Sequence, residues 1–138
     1  PFNIYGPRQN DAYAGVISKF FDRLKNNKGP IIYGDGKQTR DFIHVSDIAM
    51  AFFLSIKYNK KKFDVFNLAT EKSTSILKLA NLFAEIMNKS EIKSIHKNEI
   101  PGVVKRNSTT NKKLRSILGL TPQIDLKYGL STLIEEKF

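Results

Sequence analysis

Arg40 stands at the exit of a glycine turn, Gly34-Asp35-Gly36-Lys37-Gln38-Thr39, and just ahead of the apolar run Phe42 to Val45. Two glycines flanking an aspartate allow a turn with positive φ and no Cβ clash. The guanidinium that follows is a fixed cation at a strand entrance, with a rigid fork of donors suited to a phosphate or a carboxylate. The competing reading is a surface ion pair with Asp41 or Asp47, a kind of contact that usually contributes little. Tyr33, immediately before the turn, offers an aromatic face that can stack on a planar ligand, or can simply fill a core. Taken together, a stacking ring and an anchored cation describe a grip on a nucleotide diphosphate.

The residues for acid–base catalysis are scarce. The two histidines, His44 and His96, fall at predicted strands and have no metal-ligand spacing to one another, so both are read as structural and no metal site is proposed. A Tyr-x-x-x-Lys spacing would place phenol and ammonium on one helix face. It occurs at Tyr33–Lys37, across two glycines, and at Tyr58–Lys62, in a lysine-rich break, and neither context holds a helix. No Gly-x-Gly-x-x-Gly or phosphate-loop pattern is present, so no dinucleotide site follows from the residues themselves.

The elements that must position Arg40 and Tyr33 are short. Phe2 to Ile4 reads as extended and leads into a turn-rich run ending at Asn10. From Ala12 to Leu24, Val16, Ile17, Phe20, Phe21 and Leu24 recur at helical spacing, and Asn26 to Pro30 ends that helix. Ile31 to Tyr33 and Phe42 to Val45 read as strands. A helix capped by Ser46 or Asp47 follows; its body, Ile48 to Ile56, is apolar nearly all the way round and is expected to be largely buried. Phe63 to Leu68 reads as a strand, Ser73 or Thr74 as the cap of a third helix through Met87, and Ile92 to His96 as a further strand. Lys97 to Thr109 reads as an irregular loop around Pro101-Gly102. Two last helices are expected, one from Asn111 to Leu118 stopped by Gly119, the other from Asp125 towards Phe138. Alternating short elements of this kind make a small α/β or α+β unit.

The 138 residues, 41% of them hydrophobic, suffice for one core. Twenty-three Lys and Arg against 13 Asp and Glu give a formal charge of +10, which favours an anionic partner. The lysines are dispersed and no zinc-finger spacing, RNA-binding aromatic signature or basic heptad pattern accompanies them, so a phosphorylated metabolite is preferred to nucleic acid. The absence of cysteine excludes disulfides and thiolate metal sites. No apolar run is long enough for a membrane span and no signal peptide is evident, which makes a cytoplasmic protein the expectation. The chain opens Pro-Phe-Asn without methionine, which predicts a start inside a longer gene product.

Three ordered motifs carry a resemblance. Asn3-Ile4-Tyr5-Gly6-Pro7-Arg8-Gln9, then Tyr13-Ala14-Gly15-Val16-Ile17-Ser18-Lys19-Phe20, then Gly34 through Arg40 to Asp47-Ile48-Ala49 resemble the second half of the extended short-chain dehydrogenases that act on nucleotide sugars, the NAD-dependent epimerases and dehydratases. Within that family the pattern is most similar to the UDP-glucose 4-epimerases. Phe66-Asn67-Leu68-Ala69-Thr70 with Ser75-Ile76, and Lys113 to Gly119 with Pro122 and Gly129-Leu130, extend it over essentially the whole chain.

The resemblance implies an α/β fold: a fragment of an extended Rossmann-type enzyme, mainly the small substrate-binding domain, with short strands and about five helices. It implies that residues 1–138 are the carboxy-terminal, substrate-binding portion, and that the NAD-binding Rossmann half with the catalytic Tyr and Lys is absent from this chain. Phe2 would lie near the cofactor NAD. Asn3, Tyr13, Val16, Tyr33 and Arg40 would contact a UDP-sugar, with Tyr33 against the uracil and Arg40 on the diphosphate. The family chemistry takes hydride from sugar C4 to NAD and returns it through a 4-keto sugar, commonly in a homodimer. This sequence departs from the family pattern at Ile100-Pro101-Gly102-Val103, where Arg-Pro-Gly-Asp is usual, so two polar contacts are missing unless Lys105 or Arg106 replaces them. Another epimerase or a 4,6-dehydratase of the same family, or a non-catalytic basic binding module, are the alternatives.

Overall fold

The computed structural model describes residues 1–9 and 15–137. In chain order the elements are β1 (Asn3–Tyr5), α1 (Val16–Lys25), β2 (Ile31–Tyr33), β3 (Thr39–His44), α2 (Val45–Ser55), β4 (Ser73–Ser75), α3 (Ile76–Ile86), β5 (Ile95–Lys97), β6 (Arg106–Asn107), α4 (Lys112–Leu118) and α5 (Leu126–Lys137). This is an α/β arrangement of short strands and, among the described residues, five helices.

β3 is the strand on which β1, β4 and β6 depend. Its last residues pair in parallel with β1 (Asn3 opposite Phe42, Tyr5 opposite His44). Its first residues pair antiparallel with β4 (Thr39 opposite Ser75) and parallel with β6 (Arg40 opposite Asn107). β2 and β5 form a separate parallel pair. Because successive strand side chains point to opposite faces, β3 feeds two apolar clusters rather than the single core expected from chain length. Phe42 joins Phe20, Phe21 and Leu24 of α1, Leu79 and Phe83 of α3 and Leu130 of α5. Ile43 joins Ile48 and Ala51 of α2, with Leu68, Leu114 and Leu120. Phe20 and Phe83 meet edge to face, ring centres 6.4 Å apart, which locks α1 to α3.

Helix starts fall a residue or two from the expected caps. The cap of α2 is His44, whose Nδ1 accepts from the Ser46 N–H at 3.2 Å, rather than Ser46 or Asp47. Asp47 is occupied elsewhere: its carboxylate accepts from the backbone N–H groups of Gln123 and Ile124 at 2.9 and 3.2 Å. Ser75, not Ser73 or Thr74, caps α3 by accepting from Lys78 N–H, because β4 runs through Ser75 and the helix starts only at Ile76. Gly119 ends α4 in the left-handed region, as a helix C-terminus prefers.

Three other expectations change. Phe63 to Leu68 forms no strand: the Phe2 N–H reaches Leu68 O at 2.9 Å, and one such bond does not make a ladder. The expected irregular loop from Lys97 to Thr109 contains β6, two residues whose hydrophobicity gives no strand period. Helix α2 is not largely buried. It turns Ile48 and Ala51 inward but leaves Phe52, Phe53 and Ile56 at 65, 60 and 80% exposure, since only one of its faces meets a packed element. No helix among the described residues is long and apolar enough to cross a membrane.

A buried carboxylate ties these pieces together. Asp41, fully buried in β3, accepts from Thr70 N–H (2.9 Å), Thr70 Oγ1–H (2.6 Å) and Glu71 N–H (2.8 Å). Glu71 in turn accepts from the Arg115 guanidinium, the Asn111 N–H and the Thr110 hydroxyl, which docks the start of α4. Replacing Asp41 by Asn turns one oxygen into a donor facing donors, and a buried donor without a partner costs about 1–3 kcal/mol. Chemical denaturation of Asp41→Asn is expected to show that loss. The same contacts, Arg115 first, hold the Glu71 carboxyl at about 2, against an ordinary 4.5. Its stabilisation is therefore complete above about pH 4.5 and is lost as pH falls through about 2. The melting-temperature gap between the parent chain and Glu71→Gln should close over that acid window.

Candidate nucleotide-sugar site

The cleft that collects the sequence-predicted residues lies where β1, α1, β2 and β3 converge. It has a volume of about 590 Å³, and Asn3, Val16, Tyr33 and Arg40 line it together. Each comes from a different element, so only the assembled fold brings them together. Tyr13 falls outside the described residues. Phe2, at the leading end of β1, is half-buried with its N–H held by Leu68 O, and it does not line the cleft.

Local geometry fixes each side chain. The turn before Arg40 places Gly34 and Gly36 at φ of +74° each, and a Cβ on Gly36 would stand only 3.0 Å from Ile32 and Leu77. Glycine is required there by conformation and by contact. Asp35 closes the turn by accepting from Lys37 N–H at 2.9 Å; that bond, followed by the charge of Lys37, holds its carboxyl below the usual range. Arg40 emerges in β3 with Nη1 donating to Thr39 O at 2.8 Å and to Val104 O at 2.7 Å. Its Nε and Nη2 have no partner among the described residues. Neither Asp41 nor Asp47 pairs with it, because both carboxylates are spent on backbone amides, so the surface ion pair is ruled out. Tyr33 is 42% exposed and is not a core aromatic; its carbonyl accepts from Gln38 Nε2 at 2.9 Å, which spans the turn. Asn3 donates from Nδ2 to Asp41 O at 2.8 Å, keeping its oxygen available to the cleft.

The cleft also contains residues that the sequence reading did not single out: Lys19, Asp22 and Arg23 of α1, and Gln38. The signal for the first three was present as the polar face of an amphipathic helix, which looks the same whether it meets solvent or a ligand. Ile100 and Val103 form an apolar wall of this cleft. They also border a neighbouring hollow of about 300 Å³, and it is there that Lys105 and Arg106 lie. Tyr33 and Gln38 line both hollows, so Lys105 and Arg106 stand next to the cleft rather than in its wall. Lys105 instead pairs with Glu99 at 3.7 Å.

The histidines serve structure. His44 caps α2 and meets the Tyr5 ring edge to face at 5.2 Å; burial lowers its pKa, against the opposing charges of Asp47 and Glu136. His96 Nδ1 lies 2.8 Å from Gly34 O at the turn. No cluster of His, Asp and Glu that could hold a metal ion occurs among the described residues.

Residues 1–69 match the sequence model of the NAD dependent epimerase/dehydratase family. The chain belongs to that family. It is 40% identical over 134 residues to a Methanocaldococcus jannaschii protein provisionally named UDP-glucose 4-epimerase, covering 96% of this chain and 42% of that one. Among solved structures it is similar to the UDP-glucose 4-epimerase of Thermotoga maritima in complex with UDP-glucose, at a TM-score of 0.89 and 30% identity, over 97% of this chain and 43% of that one. It is also similar to the UDP-glucuronic acid 4-epimerase of Bacillus cereus in complex with UDP-glucuronic acid and NAD, at a TM-score of 0.87 and 26% identity, over 99% of this chain and 44% of that one. Other relatives bear the names dTDP-D-glucose 4,6-dehydratase and UDP-glucuronic acid decarboxylase. The chain thus spans about two-fifths of the length of these family members.

NAD is the cofactor of this family, and Phe2 is the residue of this chain expected near it. Its N–H is bonded to Leu68 O at 2.9 Å, and it does not line the cleft. What this epimerase/dehydratase chain does offer is one concave site with an exposed ring, an anchored guanidinium and an amide side chain.

Proposed function

We propose that this chain is the nucleotide-sugar-binding portion of an NAD-dependent enzyme resembling UDP-glucose 4-epimerase, with NAD held mainly by a part of the protein beyond these residues. The observation that supports the reading is the convergence of Asn3, Val16, Tyr33 and Arg40 on a single cleft. Tyr33 presents a ring face for the uracil. Arg40 presents the free nitrogens of its guanidinium to the diphosphate, its direction set by Thr39 O and Val104 O. Asn3, at the β1 end, turns an amide towards the sugar side. None of these groups needs to move a proton; they bind and orient.

Concentrating the contacts on the nucleotide and diphosphate suits an epimerase. The sugar must turn over between loss and return of hydride at C4, so tight ground-state contacts to its ring would oppose the reaction. A 4,6-dehydratase or another epimerase of the same family remains the second reading, carried by the relatives of those names.

The test uses the full-length product that carries this chain. UDP-glucose and UDP-galactose interconversion is assayed for the parent and for Arg40→Ala, alongside dTDP-glucose dehydration. Loss of charge-assisted hydrogen bonds worth about 1.5–3 kcal/mol should raise the KM for the UDP-sugar about 10- to 100-fold. An unchanged KM and rate would remove Arg40 from the site, and turnover of dTDP-glucose alone would favour the dehydratase.

A further inference from the structure

Helix α1 turns three charged side chains towards the cleft, and their placement is not explained by packing. Lys19 and Arg23 are one turn apart, so they project from one face of the helix, with Asp22 beside them. Arg23 Nε donates to Gly29 O, two residues before β2 begins, which holds this guanidinium beside the strand that carries Tyr33. Its two terminal nitrogens, the Lys19 ammonium and the Asp22 carboxylate have no partner among the described residues. With Arg40, the cleft holds three cations against one carboxylate, while the wall made by Ile100 and Val103 is apolar. The charge of the site is therefore carried by α1 and β3.

We propose that Lys19 and Arg23 form a second anion-binding wall that, together with Arg40, grips the phosphates of a nucleoside diphosphate. The inference rests on the nucleotide-sugar reading above. Two cations from a helix and one from a strand can surround a diphosphate, which carries charge on two neighbouring phosphorus centres. A single guanidinium tethered at one nitrogen can satisfy only part of that charge. Asp22 sets a limit on the ligand, since a carboxylate beside the two cations disfavours a more heavily charged anion and is free to accept from a ribose hydroxyl.

Calorimetric titration of UDP, UMP and uridine into the full-length product separates the possibilities. Lys19→Ala and Arg23→Gln are each expected to raise the Kd for UDP about tenfold. Both should affect UMP less and leave uridine unchanged, and the salt dependence of UDP binding should become shallower. Arg23→Gln keeps a donor for Gly29 O. If it nevertheless fails to fold, Lys19→Ala, at an exposed position with no structural contact, carries the test. Lys28→Ala removes an equal charge just beyond α1 and outside the cleft. A matching loss there would reduce the effect to general electrostatics and overturn the inference. If Arg40→Ala weakens UDP while both α1 variants stay within about twofold of the parent, the second wall is wrong and the nucleotide-sugar reading stands. If the parent binds no UDP, both fail.

Discussion

Asp41 is a charge buried completely inside β3, and the rest of the molecule is arranged so that it never lacks donors. An ionised carboxylate out of water is tolerable only when its oxygens are filled. Three donors from Thr70 and Glu71 do this, and in doing so they bring a loop from far along the chain against the strand. The backbone carbonyl of the same residue accepts from Asn3, so β1 is fastened at the same point as the loop. Glu71 passes the constraint on to α4 through Arg115, Asn111 and Thr110. One residue after Arg40, the chain therefore has no freedom to shift, and the guanidinium inherits that rigidity.

Asp47 repeats the device on a smaller scale, capping the amides of Gln123 and Ile124 and so seating the approach to α5. Asp41 and Asp47 are thus both used to anchor distant loops. Their occupation is what leaves the arginine unneutralised. A site cation is here produced by spending the neighbouring anions on backbone, and its direction is set by carbonyls, which orient a guanidinium without cancelling its charge.

Much of this could be read in the chain. The apolar spacing of α1 and α3, the glycine turn and the stop at Gly119 reflect local rules, and the structure follows them. The motifs around Asn3, Val16, Tyr33 and Arg40 mark residues that do share one cleft. What could not be read depends on partners distant in sequence. Ser73 and Thr74 look like caps until pairing with β3 claims them. Phe63 to Leu68 has strand composition, but only a single backbone bond to the start of β1. Arg106 and Asn107 have no strand character and become β6 because β3 offers them an edge. Lys19 and Arg23 were visible as polar positions of a helix, and no periodicity distinguishes a polar face that meets water from one that meets a ligand.

The exposed flank of α2 follows the same logic of missing partners. Phe52, Phe53 and Ile56 are large, apolar and mostly uncovered, on a helix whose other side is packed against Ile43 and Leu114. A contiguous surface of this kind costs solubility, and in natural proteins it usually marks an interaction surface. It lies on the helix that directly follows β3, the strand that carries Arg40. The cleft on the neighbouring elements is lined by an exposed ring, Tyr33, and by the cations Lys19, Arg23 and Arg40. A fold that tethers Arg40 to the carbonyls of Thr39 and Val104, and Arg23 to that of Gly29, fixes the direction of its cleft cations without cancelling their charge.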